Sequence, residues 1–101
     1  MRINTVGTIY HGSLGSIGAT ALQLTATSRR LLRGVRVKAS VENAATHVYV
    51  GLVGVTAGIS AAATDGFQLG KNEEILIEID DPSKLYVISD STGQAVTWLG
   101  C

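Results

Sequence analysis

The sequence predicts an all-β domain, an antiparallel β-sandwich, from three observations. Ile75, Ile77 and Ile79 alternate with Leu76, Glu78 and Asp80, the period of a strand with one buried face. Turn chemistry recurs at short intervals, at Asp65-Gly66, Gly70-Lys71-Asn72, Asp81-Pro82-Ser83 and Asp90-Ser91-Thr92-Gly93, where these residue types reverse the chain. Helical periodicity is almost absent, and the chain is rich in Gly, Ala, Val and Thr.

The elements follow in order. Arg2 to Tyr10 alternates loosely and suits a strand or an extended arm. Gly12-Ser13-Leu14-Gly15-Ser16-Ile17-Gly18 is too glycine-rich for a stable helix. It also lacks the Gly-Lys-Ser/Thr ending of a phosphate loop, so it reads as a flexible connector. The expected organisation is therefore an N-terminal arm and connector over 1–18 and a β-sandwich domain over 19–101. Ala19 to Thr27 alternates as a second strand. A longer strand is expected from Leu31 to Val41, in which Val35, Val37, Ala39 and Val41 face inward while Arg36 and Lys38 face out together. Gly34 within that run marks a bulge or a close backbone approach.

Glu42-Asn43-Ala44-Ala45 reads as a turn, and Thr46 to Leu52 as a strand rich in β-branched and aromatic residues. There His47, Tyr49 and Gly51 share one face, and Val48, Val50 and Leu52 the other. Val53 to Thr64 has no clear period and is expected to be a short strand or a loop packed flat on the sandwich. Short strands follow at Phe67–Leu69, Ile75–Ile79, Leu85–Ile88 and Gln94–Leu99. Seven or eight strands at this spacing describe a sandwich, with a jelly-roll order expected.

At 101 residues the chain is one domain, large enough for a core. With one Phe, one Trp and three Tyr, that core is thin. Net charge is zero, but its distribution along the chain is uneven. Arg2, Arg29, Arg30, Arg33, Arg36 and Lys38 precede residue 40, whereas all eight acidic residues follow it. Either folding interleaves the two groups, or the surface is bipolar and attracts copies of the chain or a complementary shell. No apolar run of signal-core length follows Met1-Arg2, and none approaches the length of a membrane span. Synthesis in the cytoplasm and no membrane partner are the expectations. Cys101 is the single cysteine and reads as a bystander on a frayed end.

The inventory for chemistry is small. His11 and His47 are the two histidines, and nothing in the sequence brings them together, so no metal site is expected. There is no Gly-x-Ser-x-Gly elbow for a nucleophile. Glu73-Glu74 and Asp80-Asp81 are adjacent carboxylates, but neighbours on a strand point to opposite faces and cannot share a cleft. Asp80 and Asp81 are expected to end a strand and shape the turn before Pro82. These readings predict no catalytic residue and no cofactor. Arg29, Arg30, Arg33 and Arg36 form the most suggestive charged cluster. Without aromatic residues between 11 and 48 to stack bases, the cluster suits a protein contact better than nucleic acid.

Ser28-Arg29-Arg30-Leu31-Leu32, Val48-Tyr49-Val50-Gly51, Gly54-Val55-Thr56, Asp65-Gly66-Phe67-Gln68-Leu69, the acidic strand Glu73–Asp81, Ser83–Ile88 and Val96–Gly100 together resemble small β-sandwich virion proteins of tailed bacteriophages. The resemblance spans roughly residues 28–100. It implies a non-enzymatic capsid decoration (cement) protein on the virion surface, a homotrimer whose partner is the major capsid protein. Arg2, Arg29, Arg30, Arg33 and Arg36 would then contact an acidic shell, with residues 1–18 as a tying arm. The alternative within the same resemblance is a head-fibre or tail-associated module that binds a receptor or carbohydrate through Tyr49, Tyr86 or Trp98.

Overall fold

In a computed structural model, residues 8–40, 43, 47–58 and 62–101 are described. They form β1 (Tyr10–Ile17), β2 (Leu22–Gln23), β3 (Val35–Ala39), β4 (His47–Gly51), β5 (Phe67–Gly70), β6 (Glu74–Ile77), a 3-10 turn at Pro82–Lys84, β7 (Tyr86–Ser89) and β8 (Gln94–Gly100). The strands make two four-stranded sheets, ordered β1-β8-β3-β6 and β2-β7-β4-β5. Every strand pair is antiparallel. The protein is an antiparallel β-sandwich. The pairs β4–β5, β3–β6, β2–β7 and β1–β8 nest inside one another, as if one long ribbon had been rolled into two layers.

Alternation places the core between the layers. In β3 the pattern is strict: Val35, Val37 and Ala39 are buried while Arg36 and Lys38 are exposed. Val96 and Trp98 of β8 meet Val48, Val50, Leu69 and Val87 of the other sheet in one apolar cluster. Burying each such side chain contributes about 1.5–3 kcal/mol, so a sandwich built mostly of valine depends on close packing. Leu24 and Leu31 also join the cluster from the loop between β2 and β3. That loop is fastened by Leu24 N–H to Leu85 O (2.8 Å) and Leu31 N–H to Asp80 O (2.6 Å).

The structure corrects the reading of Gly12–Gly18 as a flexible connector. Tyr10–Ile17 is the longest strand, pairing with β8 from Tyr10↔Gly100 to Ile17↔Gln94. Its glycines disguised it. Gly12 lies against the Trp98 indole, where a Cβ would stand 2.9 Å from Nε1, so the glycine marks a close approach across strands. The register shifts between Leu14 and Ile17, and Ser16 there has φ 57°, a bulge that bends the edge strand. The strand therefore belongs to the sandwich, and residues 1–7 of the expected arm lie outside the described residues.

Two strands are shorter than the sequence suggested. Only Leu22–Gln23 of the 19–27 segment pairs in a sheet, and β3 begins at Val35. Gly34 explains the late start: it has φ 128°, and a Cβ there would stand 2.3 Å from Ile77 O. The C-terminus is not frayed either. Cys101 O accepts from Arg33 N–H at 2.8 Å, and Cys101 N–H donates to Gly34 O at 3.2 Å. Of the expected turn at 42–45, only Asn43 is described. It is buried, and its amide donates to Ala95 O at 3.0 Å and accepts from Ala95 N–H at 2.8 Å, standing in for a neighbouring strand.

Candidate functional site

The two outward faces of the sandwich differ. On the outer face of the β2-β7-β4-β5 sheet, Val55 and Ala57, from the chain that follows β4, pack with Ala21 over Tyr49 and Ile88. Val55 drops between Gly51 and Gly66, whose missing side chains make its socket: a Cβ at either glycine would stand 2.7 and 2.6 Å from Val55 Cγ2. Val55 buries Tyr49 and Ile88 beneath it. The base of the segment is closed by Asp65, whose carboxylate accepts from Thr56 Oγ1 (2.8 Å) and Ala62 N–H (3.1 Å). Within the expected segment Val53–Thr64, Val55 and Ala57 thus pack on the sheet while Val53 stands 77% exposed and residues 59–61 lie outside the described residues; Tyr49 is buried although it sits on the outward side of its strand.

The β1-β8-β3-β6 sheet has no comparable cover among the described residues. Its outward rows follow from the strand register. His11, Leu99, Arg36 and Leu76 lie in one row, and Ser13, Thr97, Lys38 and Glu74 in the next. Leu76 is 52% exposed and Leu99 46%. The row continues over the rim of β6, where Leu32, 70% exposed, and Arg33 share a surface hollow with Leu76. Arg36 reaches diagonally to Glu74 (2.8 Å) across an exposed pair. The result is an open face on which leucines alternate with cations.

Of the five arginines singled out by the sequence, the four described are dispersed. Arg36 is at the centre of the open face and Arg33 at its rim. Arg29 lies over the Tyr10 ring, 4.8 Å from its centroid, at the end of the sandwich, and Arg30 is exposed in the same loop. Arg2 lies outside the described residues. The charge asymmetry of the sequence is interleaved by folding, since basic β3 pairs directly with acidic β6.

The loop holding these arginines is fixed by Asp81, which sequence reasoning placed only as a turn residue. Its carboxylate accepts from Ser28 Oγ, from Arg29 N–H at 3.2 Å, and from Ser83 N–H and Oγ at 2.9 and 2.8 Å. Hydrogen bonding, the Ser28 hydroxyl first and the Ser83 backbone next, holds its carboxyl far below the usual carboxylate range. Asp80 points away and pairs with Lys84 at 2.7 Å. The adjacent carboxylates therefore do separate work.

His11 is exposed on β1 and His47 half-buried on β4, in different sheets. No group of three His, Cys, Asp or Glu residues stands close enough to hold a metal among the described residues. Of the aromatics proposed as stacking platforms, Tyr49 and Trp98 are buried and Tyr86 half-buried.

No family model matches the chain, and no curated protein matches it. Among solved structures it is similar to a chain described under the words "Bacillus endospore appendages form a novel family of disulfide-linked pili". The TM-score is 0.38 at 9% identity, over 99% of this chain and 97% of that one. A likeness of that degree carries no argument about function.

Proposed function

We propose that the protein is a non-enzymatic structural component of a virion, a decoration protein of the cement type that docks on the outer surface of a capsid and stabilises the head. The contrast between its two outer faces carries this reading. One sheet has Val55 and Ala57 packed over Tyr49 and Ile88, with Leu52 and Val53 exposed beside them, while the other exposes Leu76 and Leu99 around Arg36 and Lys38 on the strands themselves. Exposed apolar side chains ringed by charge mark contact surfaces. A shell with an acidic, partly apolar surface complements this one, the charges steering the encounter and the leucines supplying burial. The nested strand order supports a jelly-roll reading of the sandwich. Repetition of one modest contact over many copies adds avidity, and a homotrimer would multiply it further.

The test is binding to expanded phage heads. The purified chain is expected to co-sediment with heads and raise their disruption temperature. Leu76→Glu together with Leu99→Glu is expected to abolish co-sedimentation while leaving the melting temperature of the free protein within a few degrees. Failure to bind any head or tail particle, or undiminished binding by the double variant, overturns the proposal.

A further inference from the structure

We propose that the cleft between Tyr10, Thr25, Thr27, Arg29 and Trp98 is a binding site for a small carboxylate, free or as the acid group of an acidic sugar. This site lies at the end of the sandwich, where Ile9 and His11 also line it, and it does not depend on Leu76 or Leu99. The cleft has a volume of about 310 Å³, at the small end of ligand sites and matched to one monosaccharide or a short acid. No carboxylate lines it among the described residues. Its polar lining is rich in donors.

Three features suit it to an anion. The Arg29 guanidinium is held over the Tyr10 ring at 4.8 Å, yet it has no carboxylate partner among the described residues. An aromatic platform orients a guanidinium while leaving its N–H edge for a planar anion. Thr25 Oγ1 already accepts from Thr27 N–H at 3.2 Å, which leaves its own proton to donate. Trp98 is 8% exposed, and its indole N–H donates to no acceptor among the described residues.

The loop is also rigid where rigidity matters. Asp81 accepts from the backbone N–H of Arg29 and from Ser28, so the guanidinium starts from a fixed Cα. The anchor involves main chain and neighbours, leaving the Arg29 side chain to the cleft. Such preorganisation lowers the ordering cost of binding.

The chain has a single tryptophan, and it lines the cleft, so its intrinsic fluorescence reports occupancy. The full chain is titrated at low ionic strength with sodium glucuronate, sodium acetate and glucose. The two carboxylates are expected to give saturable changes and glucose none. Tighter binding of glucuronate than of acetate assigns the sugar acid as the source, and equal binding assigns the free carboxylate. Arg29→Ala is expected to weaken binding about tenfold or more, the loss of a bidentate charged pair, with Arg29→Lys intermediate and Arg36→Ala unchanged. Melting curves of the variants establish that they fold, and Arg29→Gln replaces any that does not. Glucose binding as well as glucuronate, no saturable change with either acid, or full binding by the folded Arg29 variants overturns the proposal.

Discussion

The socket under Val55 yields a test of the covered face. Val55→Ala removes two methyl groups from a side chain only 6% exposed. At about 0.8 kcal/mol per buried group, with a further contribution from the space left behind, the loss is about 2 kcal/mol. For a domain of this size that lowers the melting temperature by roughly 10 °C. Gly51→Ala introduces a Cβ 2.7 Å from Val55 Cγ2 and 3.1 Å from Val55 Cβ. Overpacking of that kind costs about 1–3 kcal/mol, partly offset by about 0.5–1 kcal/mol from removing a glycine within a strand. The net loss is about 1 kcal/mol. Combined, the new methyl occupies space that Val55→Ala vacates, since Val55 Cγ2 is its nearest neighbour at 2.7 Å and only the contact with Cβ at 3.1 Å remains. The double variant should therefore lose about 1.5 kcal/mol where independent effects would total about 3. Urea unfolding of the four proteins in a double-mutant cycle reads the difference. Additivity within about 0.5 kcal/mol refutes the socket. Gly66→Ala is the control, because its Cβ would also meet Val50 O at 2.9 Å and Val50 N at 3.0 Å, backbone that Val55→Ala cannot clear.

Three other outcomes follow from the same structure. Gly34→Ala forces a residue into φ 128° and a Cβ against Ile77 O, so about 3 kcal/mol or more of stability is expected to be lost, read by denaturant midpoint. Asp81 has a folded-state pKa below its unfolded value, so its stabilisation is present above the ordinary carboxylate pKa near about 4. It fades as pH falls from there toward the folded value; Asp81→Asn is expected to flatten the acid limb of a melting-temperature profile, and an unchanged limb counts against the Asp81 anchor. Arg36→Ala breaks an exposed pair with Glu74 and is expected to change stability by less than about 1 kcal/mol, while reducing the salt sensitivity of head binding measured by co-sedimentation.

The parts of the fold legible in the sequence are those in which one strand carries its own signal. Val35 to Ala39 announces its buried and exposed faces without reference to any neighbour, and Ile75 and Ile77 do the same on the strand beside it. The edge strand Tyr10–Ile17 was misread because its decisive contact is remote in sequence. Gly12 looks like a flexible link until Trp98 is laid over it, and locally the two cases are identical. Asp81 was similarly half-legible. Asp-Pro predicts the turn, but its bonds to Ser28 and Arg29, more than 50 residues earlier in the chain, depend on the rolled ribbon bringing the two loops together.

The same distinction separates what the sequence could say about the open face from what it could not. Four arginines within eight positions look like one patch, and in a helix or on one side of a single strand they would be one. Here Arg36 alone lies in a strand that faces outward, and the loop before Gly34 sends Arg29 to the end of the sandwich, against Tyr10. The leucines carry more of the proposed docking, and they are hidden in the alternation itself. Leu76 and Leu99 occupy the outward positions of β6 and β8, where a polar residue is expected on a solvated sheet. An outward leucine is a departure from the pattern, and two of them in one cross-strand row are what the proposed docking rests on. Their replacement by glutamate therefore separates the two roles an apolar residue can have: it should leave folding intact and remove the proposed docking.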